Sequence, residues 1–101
     1  MSYSIKLTEK AAQDLDGIIE YTCRQWGAEQ VDSYMARLGG TIDQLREQPS
    51  RQGRSLDELK PGLRYLQHQQ HHFVFYRVEG RRVEIIRIIH QRRDWRRLLD
   101  E

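Results

Sequence analysis

The residues best equipped for chemistry lie near the end of the sequence, where His90, Arg92, Arg93, Asp94, Trp95, Arg96 and Arg97 follow one another closely. Metal-free cleavage of an RNA phosphodiester needs a general base, a general acid and positive charge at the phosphate. Arginine supplies the charge but stays protonated, so it is a poor acid or base. His90 is the one group in this stretch whose ordinary titration falls near neutrality. Its plainer role is structural, with its ring nitrogens bonded to backbone and to Asp94 where a strand gives way to a helix. The set lacks a complete acid–base pair and suits binding better. Arginines around one aromatic ring form a surface for nucleic acid or for an acidic protein segment. If Arg92, Arg93, Arg96 and Arg97 share a short helix, they form like-charged pairs four apart, which repel unless an anion neutralises them.

Other reactive types are less suggestive. His68, His71 and His72 invite a metal reading, but they fall at a hairpin turn, have no accompanying cysteine and lack a zinc-ligand spacing. Polar hairpin residues account for them better, and no metal or other cofactor is expected. Cys23 sits beside an apolar helical stripe and reads as a buried, inert thiol, since nothing nearby in sequence lowers its pKa. There is no glycine-rich phosphate loop and no Ser/His/Asp arrangement.

Composition narrows the class. The chain has 101 residues, enough for one domain with one core. Its 32% charged and 38% hydrophobic content is polar, yet two Trp, five Tyr and two Phe argue against disorder. A single cysteine excludes an internal disulfide. No apolar run reaches the length of a signal peptide or a membrane span, so a reduced, cytoplasmic protein is expected. Net charge is +2 but uneven: residues 1–50 hold five Lys/Arg against eight Asp/Glu, and residues 51–101 hold twelve against seven. The basic half suggests an acidic partner, although a merely solubilising surface is the plain alternative.

The elements that must position these groups follow from periodicity. Tyr3, Ile5 and Leu7 alternate as in a strand. Thr8 offers an N-cap, and Leu15, Ile18, Ile19, Thr22 and Trp26 then mark one face of a helix that Gly27 ends. Val31, Tyr34, Met35, Leu38, Ile42 and Leu45 mark a second helix closed by Pro49, so the two should form an antiparallel hairpin. Gly39-Gly40 inside that helix implies a close backbone approach or a kink. Residues 49–62 read as a connecting loop. Strand patterns follow at Leu63 to His68, Phe73 to Val78 and Val83 to Ile89, with a hairpin at Glu79-Gly80-Arg81. Asp94 to Leu99 suits a short helix with Asp94 as its N-cap. The order β-α-α-β-β-β-α gives an α+β fold: an antiparallel sheet with a helical hairpin on one face.

This pattern resembles the ParE/RelE toxin superfamily, and its local motifs resemble the ParE branch. The matching residues are Ala12, Asp14, Leu15, Ile18 and Tyr21 in the first helix, Trp26-Gly27 at the turn, and Tyr34 and Leu38 in the second helix. Pro49, Gly53-Arg54, Gly62-Leu63-Arg64, Phe75-Tyr76-Arg77-Val78 and Ile85 to Asp94 also match, so the likeness runs from about Ile5 to Leu99 as a single toxin domain. The resemblance implies a bacterial toxin of a type II toxin–antitoxin pair that inhibits DNA gyrase by binding it, causes growth arrest and is tied to plasmid stabilisation. It implies a ParD-like antitoxin as partner, no membrane, and DNA met only through the antitoxin or gyrase. Target-binding residues would be Arg64, His90, Arg92, Arg93, Asp94, Trp95, Arg96 and Arg97. The antitoxin would cover Ile18, Tyr21, Trp26, Tyr34, Leu38, Ile42 and Leu45. Two alternatives stand beside this reading. One is a RelE-like ribosome-dependent mRNA endoribonuclease using Arg64, His90 and Arg92, against which Leu98 stands where that branch carries a tyrosine. The other is a non-toxic member that acts only with its antitoxin in operon repression.

Overall fold

A computed structural model describes residues 2–100 of the protein. The elements are β1 (Ser4–Leu7), α1 (Glu9–Trp26), α2 (Ala28–Asp43), two single-turn 3-10 segments (Gln44–Arg46 and Pro49–Arg51), β2 (Arg54–Ser55), β3 (Arg64–His68), β4 (His72–Glu79), β5 (Arg82–His90) and α3 (Trp95–Leu99). They form a five-stranded sheet in the order β1-β5-β4-β3-β2. The α+β architecture and helical hairpin expected from the sequence are both present. β3 to β5 are joined antiparallel, as expected, and β2 adds a short antiparallel strand inside the 49–62 segment that the sequence reads as a loop, with Arg54 opposite Tyr65. β1 adds a parallel edge, with Ser4 opposite Arg82 and Leu7 opposite Ile85, so the sheet is mixed.

Local chemistry explains the boundaries of the hairpin. The Thr8 hydroxyl accepts from the Ala11 N–H at 3.1 Å and donates to the Ile86 carbonyl at 2.8 Å, so one side chain caps α1 and fastens it to β5. Gly27 takes φ +91°, a conformation that favours glycine, and its N–H bonds the Cys23 carbonyl to end α1. Of the two accounts offered for Gly39 and Gly40, the close backbone approach is absent. A Cβ at either would meet nothing within 4 Å, so no backbone approaches them. Gly53 is the glycine the packing demands: at φ +65°, a Cβ would fall 2.4 Å from the Tyr65 carbonyl oxygen.

Each face of the sheet has its own core. Ala11, Tyr34, Leu38 and Leu45 pack with Val74, Tyr76, Val83, Ile85 and Ile88 on the hairpin side. Leu56, Leu63, Phe75, Ile89 and Leu99 form the second cluster, with Tyr65, Phe73, Trp95 and Leu98 packed against it. An irregularity between Phe75 and Tyr76 lets Arg87 face Phe75 while Ile85 faces Tyr76, leaving Ile86 as the extra residue. Arg87 bridges the layers. It donates to Asp14 of α1 at 2.8 and 3.0 Å and, through Nη1, to the Leu98 carbonyl of α3 at 2.9 Å.

Candidate functional site

The C-terminal cluster divides into an anchor and an exposed charge. Trp95 is half-buried among Phe75 (5.5 Å between ring centroids), Phe73 (5.8 Å) and Tyr65 (6.4 Å), so it pins α3 to the second face of the sheet. Its outer face carries the Arg96 guanidinium, 4.7 Å from the ring centroid. Arg92, Arg93, Arg96 and Arg97 are exposed, and none forms an ion pair within the described residues. Because α3 begins only at Trp95, Arg92 and Arg93 lie in the turn before it. The like-charged helical pairs expected from sequence therefore do not form; the charge is spread over a turn and a short helix. Asp94 is exposed and occupies the N-cap position without making a side-chain cap bond.

His90 does not bond Asp94. Its Nδ1 accepts from the Arg92 N–H at 3.1 Å, which orders the turn after β5. Arg64 lies elsewhere. Its Nε and Nη2 donate to the Gln52 carbonyl at 3.1 and 2.8 Å, beside the Tyr76 hydroxyl at 2.7 Å from the same oxygen, so it closes the residue 49–53 loop onto the sheet. In register, Arg64 faces Tyr76 while His90 faces His72. Those levels are four residues apart along β4, roughly 13 Å at about 3.3 Å per residue. The structure thus brings His90 to Trp95 and the arginines together at one end of the sheet and leaves Arg64 out.

Folding exposes a second constellation at that same end. His68 and His72 face each other across the β3–β4 turn, and His72 in turn faces His90. The rings of His72 and His90 lie 5.3 Å apart, and those of His71 and His90 lie 6.3 Å apart. Tyr34 of α2 reaches the same place: its hydroxyl lies 2.5 Å from His72 Nδ1, and its ring is 5.3 Å from that of His68. Burial holds the His72 imidazole down at about 4, assisted by repulsion from His90, His71 and His68 and opposed by Asp14. Burial likewise pushes the Tyr34 phenol up to about 12, against the pull of Arg37. His68 and His90 are also lowered, chiefly by burial. Burial therefore favours the neutral form of His68, His72 and His90 near pH 7, and the His72 tautomer sets which of Tyr34 and His72 donates. The hairpin expected from the sequence places His68 and His72 opposite each other in register, and Tyr34 contacts both rings. Among the described residues no group of three or more His, Cys, Asp or Glu is arranged to hold a metal ion.

Tyr34, His71, His72 and His90 line a groove of about 730 Å³ between the hairpin and the end of the sheet, together with Ile18, Tyr21, Trp26, Arg37 and Arg93. Of the seven positions nominated for a partner on the helices, Tyr21 and Trp26 are well exposed (64% and 71%), and Ile18 is half-buried at the rim. Tyr34 is buried but its edge lines the groove, and Ile42 packs against the core. Leu38 and Leu45 are 1% and 0% exposed, inside the core, so neither presents a surface in this structure. The apolar stripe that nominated them is the core stripe. Cys23, expected to be buried, is exposed.

A mixed sheet with a helical hairpin on one face and an arginine-bearing helix on the other is a fold seen in chains of toxin–antitoxin systems. The structure "Chromosomal ParDE TA system from P. aeruginosa" contains one, similar at TM-score 0.77 and 27% identity over 88% of this chain and 96% of that one. A chain of the toxin–antitoxin complex RelBE2 from Mycobacterium tuberculosis shares the fold at TM-score 0.64 and 18% identity, over 90% and 93% of the two chains. The family described as "ParE toxin of type II toxin-antitoxin system, parDE" matches residues 5–95, and the chain belongs to that family. Relatives include Toxin ParE1 of Caulobacter vibrioides, 42% identical over 85% of this chain and 86% of its own. Toxin ParE of Escherichia coli is 41% identical over 87% and 84%. Toxin ParE1 of Mycobacterium tuberculosis H37Rv is 37% identical over 93% and 95%.

Proposed function

We propose that this ParE-family toxin inhibits DNA gyrase by binding it, without a reaction of its own, and that a ParD-like antitoxin neutralises it. The carrying observation is the set of four exposed arginines, Arg92, Arg93, Arg96 and Arg97, on a segment held rigid by the Trp95 aromatic contacts and the Arg87–Leu98 bond. Exposed guanidiniums without internal ion pairs among the described residues are available to an acidic or nucleoprotein target, and a fixed base limits the entropy lost on docking. His90 supports the segment through the Arg92 N–H, and Arg64 supports the sheet through Gln52. The ParDE title of the similar structure supports an antitoxin partner. No helix among the described residues is long and apolar enough to cross a membrane, in keeping with action in the cytoplasm.

A supercoiling assay with purified gyrase tests this reading. The toxin at micromolar concentration should inhibit supercoiling or trap a gyrase–DNA cleavage complex. Unchanged supercoiling together with codon-specific mRNA cuts in a primer-extension experiment would overturn it in favour of the ribonuclease reading.

A further inference from the structure

The end-of-sheet groove has a polar lining. His72 Nδ1 faces the Tyr34 hydroxyl at 2.5 Å, and a neutral phenol can donate to that nitrogen or accept from it. His90 Nδ1 accepts the Arg92 backbone N–H. A neutral imidazole that accepts at Nδ1 carries its proton at Nε2. Both rings line the groove, and the His90 N–H is unspent on any other side chain among the described residues. Arg37 and Arg93 stand at the rim; both are exposed and neither forms an ion pair there. The one carboxylate in the lining, Asp14, is committed to Arg87 and to the Ile88 N–H at 2.9 Å.

From the His90 imidazole donor and two guanidiniums beside an apolar wall we infer that the groove is a carboxylate-binding subsite, built to take an acidic side chain carried on an apolar-faced segment of the protein partner. The inference rests on the antitoxin reading for the identity of that partner. Ile18, Tyr21 and Trp26 supply the apolar wall such a segment would cover, and Gln13, Gln30 and Gln69 its amide rim. A nucleic acid is the less suitable occupant. The longer basic track through Arg92, Arg96 and Arg97 lies outside the groove lining. Binding of a carboxylate favours imidazolium over imidazole, so it strengthens as pH falls. The groups that face the two rings are Tyr34 and Arg37 on α2, Asp14 on α1, His68 and His71 at the β3–β4 turn, and Arg92 after β5.

The test uses the full chain and small probes: 4-phenylbutyrate, its neutral analogue 4-phenylbutanol, and inorganic phosphate, followed through the NMR signals of the His72 and His90 rings. The carboxylate should shift both rings, raise both titration midpoints, and bind at least roughly fivefold more tightly than the alcohol, as expected for partly exposed charge-assisted bonds. Arg93→Gln and Arg37→Gln, both on exposed side chains, should each remove most of that difference while leaving the fold intact. Equal binding of the alcohol would overturn the inference by showing an apolar groove only. Tighter binding of phosphate than of carboxylate would overturn it in favour of a nucleic-acid site. No antitoxin is present, so a negative result sinks the subsite alone; rescue of growth arrest by the antitoxin gene tests the partner reading separately.

Discussion

Asp14 accepts two hydrogen bonds from Arg87, at 2.8 and 3.0 Å, although 73 residues separate them in the chain. Each side chain is only 12% exposed. The pair links the middle of α1 to the irregular point of β5, and Arg87 Nη1 holds α3 through the Leu98 carbonyl. The helical hairpin and the arginine-bearing end are therefore fixed to each other through one guanidinium.

Removing one partner should be costly. Asp14→Ala leaves a largely buried guanidinium without its carboxylate and the Ile88 N–H without its acceptor. We expect a loss of about 3 kcal/mol in urea unfolding, within the 3–5 kcal/mol typical of a broken buried pair. The double variant Asp14→Leu/Arg87→Met should recover part of that loss, because an apolar pair leaves no orphan charge. Additive losses in the double variant would show zero coupling and contradict the pairing of Asp14 with Arg87.

Acid should weaken the fold through the histidine cluster. The folded His72 titrates at about 4, below its ordinary 6.5. Between those values the unfolded chain binds a proton that the folded chain refuses, so stability rises with pH. The contribution is complete above 6.5 and is lost as pH falls towards 4. His68 and His90, lowered as well, act in the same direction. Thermal midpoints measured from about pH 7.5 to 4.5 should fall by several degrees, and His72→Gln should flatten part of the slope. Tyr34 carries the opposite window: its pKa is raised to about 12, so its contribution is complete below 10 and is lost in strong alkali.

Much of this architecture can be read from the sequence, because it rests on local rules. The Thr8 cap, the Gly27 stop, the two amphipathic helices and the three alternating strands depend on residues near one another in the chain. Features that depend on pairing across the chain were not legible. Nothing around Ser4 specifies a parallel partner at Arg82. Nothing around His72 announces that register will bring it to His90, under Tyr34. Periodicity also cannot separate an apolar residue that faces the sheet from one that awaits a partner. Leu38 and Leu45 proved to be core, while Trp26 on the same kind of stripe stands exposed. Cys23, one residue from Thr22, falls on the solvent side of α1.

Trp26 offers a clean separation of binding from folding. With 71% of its surface exposed, Trp26→Ala should change stability by less than about 0.5 kcal/mol. If an antitoxin covers this rim, the same change should weaken the complex by about 2 kcal/mol or more, as buried aromatic anchors do. Thermal melting of the toxin alone and the dissociation constant of the purified pair would be compared. An unchanged complex would remove Trp26 from the interface.

The central claim is that exposed arginines at the end of the sheet carry the toxic interaction. The most direct measurement is growth arrest on induction without antitoxin, comparing the native chain with Arg92→Ala/Arg93→Ala/Arg96→Ala/Arg97→Ala. These side chains make no internal ion pair among the described residues and the Arg96 contact with the Trp95 ring contributes only about 0.5–1 kcal/mol, so the variant should still accumulate folded. The account predicts that the variant accumulates to native levels but no longer arrests growth. Full arrest by a folded variant would contradict it.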